Sequence, residues 1–351
     1  TLLASSAASD VYKRQIKMRL LNIPKMYKEE LLYSYLLRLA EANGFTNPKT
    51  FFNHRGIFPD KDDTKLRFDS LEDIGFLLPR LSSYYTSAEI IANHTVLPAY
   101  LPFMSKVKQY LIINAMIRKK RDYPNIVGHI MAGYIDDIYV CPDCLKEGHY
   151  LRRGHHLYGV KICHKHRTPL MKIIRDRKGM AERFEPVTGF DLEEQVKYAK
   201  FADELLKANI STDLYTVRQA LGAKAKEEPD LEDRYLEIMT KLGFENPEAL
   251  ASRMYKESTM MRNIILGERF NILMCCAYAL FGDVESFRKA VEKQGKYIVP
   301  EGYTIVDKRG VILELKHKAC GTTFAATAYG IESGWSCPCC MEKNEGESLI
   351  R

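Results

Sequence analysis

The sequence predicts a mainly α-helical fold with small β modules stapled by clusters of cysteine and histidine. Apolar residues recur at helical spacing over most of the chain, for example at Leu32, Leu36 and Leu39. The pattern G-F-x-N-P joins two helical segments in two places. Alternating stretches typical of strands are clearest near the cysteines, at residues 303–306 and 311–315.

The first predicted helix covers residues 28–43. Its apolar stripe consists of five residues: Leu31, Leu32, Tyr35, Leu36 and Leu39. Gly44 follows, where helix C-termini favour a positive φ. Asn47 and Pro48 are predicted as the N-cap and first residue of a second helix. Because Gly243 to Pro247 repeats this pattern, we expect two helix-turn-helix-like units, although G-F-x-N-P also joins packed helices that do not touch DNA.

Further helices are predicted over residues 90–121 and 181–300. The second of these regions is expected to break near Gly189, Gly222, Pro229, Gly267 and Gly282. Cys275 and Cys276 lie in its most apolar stretch and are predicted to be core thiols.

The composition excludes several classes of protein. With 46% hydrophobic and 28% charged residues among 351, the chain is neither a disordered tail nor a collagen-like fibre. The longest apolar run, at 272–281, falls short of the roughly 18 residues that a membrane span needs. Nine cysteines without a secretory signal indicate a reduced compartment, so a cytoplasmic location is predicted.

The strongest motif in the sequence is C-x2-C followed by C-x2-H. Cys141 and Cys144 are separated by 18 residues from the second pair, Cys163 and His166. Two ligands three residues apart on a tight turn can bind one ion, and a second such pair completes a tetrahedral zinc site. His166 is preferred to His164 because it keeps the two-residue gap.

A second cluster has the spacing H-x2-C followed by C-x2-C. His317 and Cys320 are separated by 16 residues from Cys337 and Cys340. Cys339 could replace Cys340 only by breaking the two-residue gap, and the alternative for the whole set is a group of buried reduced thiols. Zinc at both clusters predicts two zinc-stapled ribbon or knuckle modules.

Four protein ligands at each site leave no open position, so both Zn²⁺ ions are predicted to be structural. The sequence contains no HExxH, GxxxxGK[ST] or GxGxxG signature, and we predict a protein that is not an enzyme and has no small-molecule substrate. The acid pairs Asp62-Asp63 and Asp136-Asp137 could serve a two-metal nuclease, but such pairs are usually solvated turns.

Positive charge is concentrated around the first cluster. Residues 141–180 contain ten Lys or Arg against three acids, a net +7 that equals the net charge of the whole chain. A rigid basic surface is what phosphate-backbone binding requires. The predicted nucleic-acid contacts are Arg152, Arg153, Lys161, Lys165 and Arg167. The alternative to phosphate binding is that these charged residues only form the solvated surface of a small zinc module. His155 and His156, in the loop between the ligand pairs, are predicted to be hydrogen-bonded structural residues and not extra ligands.

These elements predict five regions. Residues 1–15 are expected to be a non-native or disordered lead-in; they resemble translated sequencing-adapter read-through, and in that case the native start is expected near Ile16 or Met18. The other predicted regions are an N-terminal helical region with a helix-turn-helix-like unit (16–125), the first zinc module (126–180), a helical region with the second such unit (181–300) and a C-terminal zinc module (301–351).

An ordered set of residues between positions 20 and 170 resembles the TniQ family, which includes TnsD-type proteins. The residues that carry the resemblance are Tyr27, Glu30, Leu31, Leu32, Tyr33, Ser34, Leu36, Arg38, Leu39, Ala40, Cys141, Cys144, Tyr150, Leu151, Arg152, Arg153, His156, Gly159, Val160, Cys163, His166 and Leu170. Tyr35 and Tyr158 depart from the family pattern, where Trp and a small residue or proline are usual.

The resemblance implies a target-selection protein of transposons that use a heteromeric transposase. Such proteins bind double-stranded DNA directly or dock on an RNA-guided effector complex, and they recruit an AAA+ transposition ATPase. The leading hypothesis is therefore a non-enzymatic DNA-targeting adaptor. One alternative is a zinc-braced protein-protein scaffold without direct DNA recognition. Another is a nuclease, which is disfavoured because four protein ligands would leave no open position on either zinc ion.

Overall fold

The computed structural model of the protein describes residues 20–46, 81, 83–117, 138–175, 182–259, 270–292, 301–327, 330–331 and 337–340. Helices predominate in this part of the chain, and its strands form small antiparallel sheets, as predicted.

Along the chain, most helices come before or after the segment that contains the first Cys/His cluster. They are α1 (Leu32–Ala42), α2 (Ser87–His94), α3 (Leu97–Tyr100), α4 (Lys106–Ile117), α5 (Pro142–Gly148), α6 (Leu192–Lys207), α7 (Leu214–Ala225), α8 (Leu231–Lys241), α9 (Pro247–Thr259), α10 (Phe270–Phe281) and α11 (Val284–Val291), with 3₁₀ turns at Leu101–Phe103 and Arg153–His156.

The strands form three antiparallel groups. They are β1 (Ile138–Val140), β2 (Ile162–Cys163), β3 (Thr168–Pro169), β4 (Met171–Arg175), β5 (Glu182–Pro186), β6 (Tyr303–Arg309), β7 (Ile312–His317) and β8 (Thr323–Thr327). The sheet orders are β1-β4-β5, β2-β3 and β6-β7-β8. The predicted strands at 303–306 and 311–315 correspond to β6 and β7.

Local sequence signals explain where several helices begin and end. Four helices start after a Thr or Asp whose side chain accepts a hydrogen bond from a backbone N–H in the first turn, and these N-caps are Thr86, Asp191, Asp213 and Asp283. Helix α1 ends before Gly44, which has the predicted positive φ of 81°. Asn47 and Pro48, and with them the second helix of the first helix-turn-helix-like unit, lie outside the described residues.

The second predicted helix pair is present as α8 and α9. Pro247 is the first residue of α9, as the N-cap and proline pattern predicts. The region 90–121 is not one helix within its described part, because α2, α3 and α4 are separated by short turns that contain Thr95 and Ser105.

The prediction of a break at Gly222 is wrong, because this residue lies inside α7. A Cβ at position 222 would stand 3.3 Å from the carbonyl oxygen of Ser258 on α9. The glycine therefore lets two helices pack closely, and the packing offsets its low helix propensity. Gly189, Pro229 and Gly282 do lie between elements, and Gly267 lies outside the described residues.

One continuous buried core joins helices α1–α4, the first Cys/His cluster and helices α6–α11. Aromatic pairs cross it, since the ring of Tyr100 packs 5.0 Å from that of Phe270 and the ring of Phe103 packs 5.6 Å from that of Phe287. Cys275 and Cys276 are fully buried in this core, as predicted.

The C-terminal sheet separates two hydrophobic clusters. Ile312 and Ala325 belong to the main core. Leu313, Leu315 and Phe324 form a smaller cluster that contains Cys337. Among the described residues, no single helix is long and apolar enough to cross a membrane, and α10 with α11 reaches the required length only as a pair bent by 105°.

Candidate metal centres and the surface around them

The first Cys/His cluster is built by two short turns that face each other. Pro142 begins α5 directly after Cys141, so Cys144 lies in the first turn of that helix. On the opposite side, β2 ends at Cys163, and the backbone N–H of Arg167 bonds the carbonyl of Cys163 at 2.7 Å. This tight turn between β2 and β3 directs His166 toward the cysteines.

The ligand atoms of this cluster have the spacing of a tetrahedral site. Nδ1 of His166 lies 3.4 Å from Sγ of Cys141, 3.4 Å from Sγ of Cys144 and 3.6 Å from Sγ of Cys163. Sγ of Cys144 lies 3.7 Å from Sγ of Cys163. Zinc–ligand bonds of ordinary length give tetrahedral edges of about 3.8 Å between sulfurs and about 3.6 Å between sulfur and nitrogen.

The three cysteines are buried and the histidine is partly exposed. His164 is directed away from the cluster, because its Nε2 lies 3.5 Å from the carboxylate of Asp203. The structure therefore assembles Cys141, Cys144, Cys163 and His166, which are the four residues selected by spacing, into a group suited to a metal ion.

The acidic side chains of α5 also contact the turn that carries His166. Glu147 Oε1 lies 3.1 Å from Nε2 of His166, and its Oε2 pairs with Lys165 at 2.6 Å. Hydrogen bonds from Lys165 and His166 hold the pKa of Glu147 below its ordinary value. Sequence reasoning missed Glu147, although its place one helical turn after Cys144 is a usable signal.

His155 and His156 are buried, and neither belongs to the group of four residues that could hold a metal ion. Nε2 of His156 accepts a hydrogen bond from the backbone N–H of Tyr139 at 3.2 Å, and Nδ1 lies 3.1 Å from the carbonyl oxygen of Arg152. Burial lowers the pKa of His156 to about 3, so the ring is neutral and its Nδ1 carries the proton.

The second cluster joins the end of β7 to residues 337–340. Nδ1 of His317 lies 3.2 Å from Sγ of Cys320 and 3.5 Å from Sγ of Cys340, and Sγ of Cys320 lies 3.5 Å from Sγ of Cys337. These four residues form the second group that could hold a metal ion, and Cys339 is outside it.

The aromatic ring of Tyr303 supports this second group. Its centroid lies 5.0 Å from that of His317, and its hydroxyl accepts a hydrogen bond from the backbone N–H of Cys337 at 3.1 Å. Thr322 Oγ1 lies 3.2 Å from Sγ of Cys320. Among the described residues, no carboxylate contacts His317 in the way that Glu147 meets His166.

Several residues that carry the family resemblance form a buried hydrogen-bond network at the start of α1. The carboxylate of Glu30 is fully buried and accepts hydrogen bonds from both Nε and Nη2 of Arg38, at 2.8 and 2.6 Å. The hydroxyl of Ser34 and the backbone N–H of Tyr27 also bond it. Glu30 in turn forms a β-bridge with Arg152, which fixes α1 to the first cluster.

Arg153 does not lie on the surface, and its predicted role as a nucleic-acid contact needs correction. Only 2% of the residue is exposed. Its guanidinium pairs with Glu29 at 3.3 Å and donates to the carbonyls of Ala92 and Thr95. An arginine held by internal partners is a structural residue, since release of its charge from them would cost several kcal/mol.

The other four predicted contacts differ in exposure. Arg152 and Lys161 are half-buried, and the Nζ of Lys161 donates to the carbonyl of Gly243 in the turn before α9. The side chains of Lys165 and Arg167 are 47% and 51% exposed, and they pair with Glu147 and Glu193. Within the predicted set, Lys165 and Arg167 are therefore the most accessible cations.

The helix pair α8–α9 is fastened to the first cluster through α6. Gln195 on α6 donates to the carbonyls of Gly159 and Leu242 at 3.0 and 2.8 Å, and its Oε1 accepts from the backbone N–H of Lys161. The ring of Phe244 packs 5.3 Å from that of Tyr158. The turn between these helices is thus occupied by protein contacts.

The outer side of α9 presents two cations, Arg253 and Lys256, to solvent. The neighbouring α8 exposes Glu232, Asp233 and Glu237. The charges exposed by this helix pair are therefore mixed.

Comparison with known families finds a match in the N-terminal part of the chain. Residues 22–170 match the family described as TniQ, a segment that contains the Glu30 network and ends just beyond the first cluster. No curated protein matches the chain.

Proposed function

We propose that the protein is a non-enzymatic adaptor that directs transposition to its target, because residues 22–170 match the TniQ family, which has a role associated with transposition. The observation that carries this proposal is the family match together with the first Cys/His cluster that lies within it. The adaptor would bring a target, either double-stranded DNA or an RNA-guided effector complex, to an AAA+ transposition ATPase in the cytoplasm.

We assign a structural Zn²⁺ ion to each cluster as part of this proposal. Three thiolates and one imidazole suit zinc at both clusters, and the atom spacings at the first cluster fit its tetrahedral geometry. When bound, zinc would supply folding free energy by cross-linking two turns, since four protein ligands fill its coordination shell.

The surface that we propose for contact with a nucleic acid consists of Lys165 and Arg167. Both lie on the rigid turn between β2 and β3. Their carboxylate partners do not prevent this role, because exposed ion pairs contribute about 0–1 kcal/mol and can be exchanged for phosphate contacts. Arg153 is excluded from the surface by its burial.

A second candidate function is a zinc-braced scaffold that binds only proteins. Two observations on the predicted basic surface favour it. Lys146, Lys165 and Arg167 are each paired with an acid, and Arg153 is buried. In this alternative the region around the first cluster, where acids already pair with these cations, contacts a protein partner.

The test is to select genomic DNA fragments with zinc-loaded protein at about 150 mM salt, a near-physiological ionic strength. Enrichment of one sequence supports direct target reading. Retention without sequence preference supports an adaptor that takes its specificity from a partner. If no DNA is retained, and any AAA+ ATPase or RNA-guided effector complex found encoded beside the gene also fails to bind, the adaptor function is refuted.

Matched variants separate the adaptor from the scaffold. Replacing Lys165 and Arg167 with Gln should reduce the slope of log affinity against log salt by about 2, since each phosphate contact contributes about 0.9. Lys224→Gln with Arg288→Gln is the control, because these side chains are 35% and 40% exposed and are also paired with glutamates. Equal slopes in both double variants would favour the scaffold.

A further inference from the structure

The two candidate metal centres differ in what surrounds their histidine ligand. At the first centre, His166 directs Nδ1 to the three cysteine sulfurs and Nε2 to Oε1 of Glu147 at 3.1 Å. At the second centre, the described neighbours of His317 include the ring of Tyr303 and no carboxylate. Only the first histidine is therefore held from both sides within the described residues.

Two carboxylates of α5 reach across to the turn that carries His166. Asp143 and Glu147 are four residues apart and lie on one face of the helix. Asp143 Oδ2 accepts a hydrogen bond from the hydroxyl of Thr168 at 2.9 Å, which ties the turn to the helix without touching a ligand atom. Glu147 contacts the imidazole itself. The helix therefore fixes both the backbone of the turn and the orientation of the ring.

We propose that Glu147 is a positioning residue for the metal ligand His166 and slows the release of the metal ion from the first cluster. This inference rests on the proposed metal binding. A carboxylate that accepts the Nε2 proton fixes the tautomer with a free lone pair on Nδ1 and raises the basicity of that nitrogen. Lys165 pairs with the other carboxylate oxygen, Oε2, at 2.6 Å, so this exposed ion pair is separate from the contact between Oε1 and the ring.

The test measures metal release from the full-length protein loaded with two equivalents of zinc or cobalt. An excess of chelator is added, and the release of each equivalent is followed over time. Loss of an outer partner of a metal ligand costs about 10- to 100-fold in metal affinity. Glu147→Ala should therefore release one equivalent about 10- to 100-fold faster, while the other equivalent leaves at the rate of the unaltered protein.

Three further variants separate a positioning role from a structural one. Glu147→Gln keeps an oxygen that can accept the Nε2 proton and should restore much of the slow release. Lys165→Gln removes the ion pair but keeps the contact between Glu147 and His166, so its release should stay close to that of the unaltered protein. Glu237→Ala is the matched control, because Glu237 forms an exposed pair with Lys241 at the same distance of 2.6 Å but is remote in sequence from both clusters.

The outcomes distinguish this inference from the proposed metal binding. If the unaltered protein binds no metal, the assignment of metal sites fails and the role of Glu147 fails with it. If it binds two ions but Glu147→Ala releases both at unchanged rates, the role of Glu147 alone is refuted. The same conclusion follows if Lys165→Gln accelerates release as much as Glu147→Ala, because the ion pair would then account for the effect.

Discussion

Glu314 on β7 accepts a hydrogen bond from the backbone N–H of Ala88 in the first turn of α2, 226 residues earlier in the chain. The distance from Oε2 to the nitrogen is 2.9 Å, and the glutamate is 2% exposed. Close by, Arg309 donates to the side-chain oxygen of Asn93 at 3.3 Å. These contacts attach the C-terminal sheet to a helix within the family-matched segment.

The buried position of Glu314 predicts a pH-dependent stability. Burial raises its pKa from 4.5 to about 7, so the folded protein holds this proton more tightly than the unfolded chain. The resulting stabilisation is present below about pH 4.5 and is lost as the pH rises through 7. Glu314→Gln keeps a side-chain oxygen that accepts the hydrogen bond from Ala88. Because the amide does not titrate, the variant keeps its stability as the pH rises.

At pH 5 we expect the Gln variant and the unaltered protein to have similar free energies of unfolding. At pH 8 the variant should be more stable by about 2 to 3 kcal/mol. Denaturant unfolding at both pH values measures the difference, and metal release at low pH affects both proteins alike. A constant difference between pH 5 and pH 8 would show that the carboxyl titrates normally.

Arg153→Met is expected to destabilise the protein strongly. The substitution leaves Glu29 and the carbonyls of Ala92 and Thr95 without their donor, and removal of one partner from a buried pair costs about 3 to 5 kcal/mol. Arg183→Met is the control, since the side chain of Arg183 is 72% exposed and pairs with Glu185. Chemical denaturation should show a change below about 1 kcal/mol for the control.

Cys340 and Cys339 should differ in their effect on metal content. Cys340→Ser removes a member of the second cluster and should reduce the bound zinc from two ions per chain to one. Cys339→Ser should retain both ions because its sulfur is outside the cluster. Elemental analysis of the purified variants gives the ratio, and the reverse pattern would assign Cys339 as the ligand.

Gly243→Ala is expected to reduce the free energy of unfolding by more than the cost of a left-handed backbone conformation alone. Gly243 has φ of +73°, and a Cβ there would collide with the carbonyl of Gly189. Gly282, with φ of +74°, has nothing within 4 Å of such a Cβ, so Gly282→Ala measures the conformational cost of about 1 to 2 kcal/mol. Equal losses of unfolding free energy would mean that the turn shifts to accept the methyl group.

Local signals in the sequence were sufficient for the features that depend on neighbouring residues. The two-residue gaps of Cys141–Cys144 and Cys163–His166 limit which side chains can reach one ion, and Pro247 can begin a helix because it needs no N–H partner there. Both features follow from chain geometry over three or four residues.

Features that depend on distant partners could not be predicted in this way. A pair of arginines at 152 and 153 has the pattern of a basic surface, yet burial of Arg153 depends on Glu29, Ala92 and Thr95. Gly222 lies within a helix at a position where Ser258 of another helix packs closely against it. Neither partner can be recognised from the local sequence.

The family match ends at residue 170, but the contacts around that position continue without a gap. The carbonyl of Leu170 accepts a hydrogen bond from the backbone N–H of Val187, and Gln195 holds the backbone of Lys161 and Gly159. A chain truncated at 170 would expose the apolar surface that now packs on α6 and would be prone to aggregate. We therefore expect that the family segment does not fold on its own and that any shortened version of the protein should extend through the later helices.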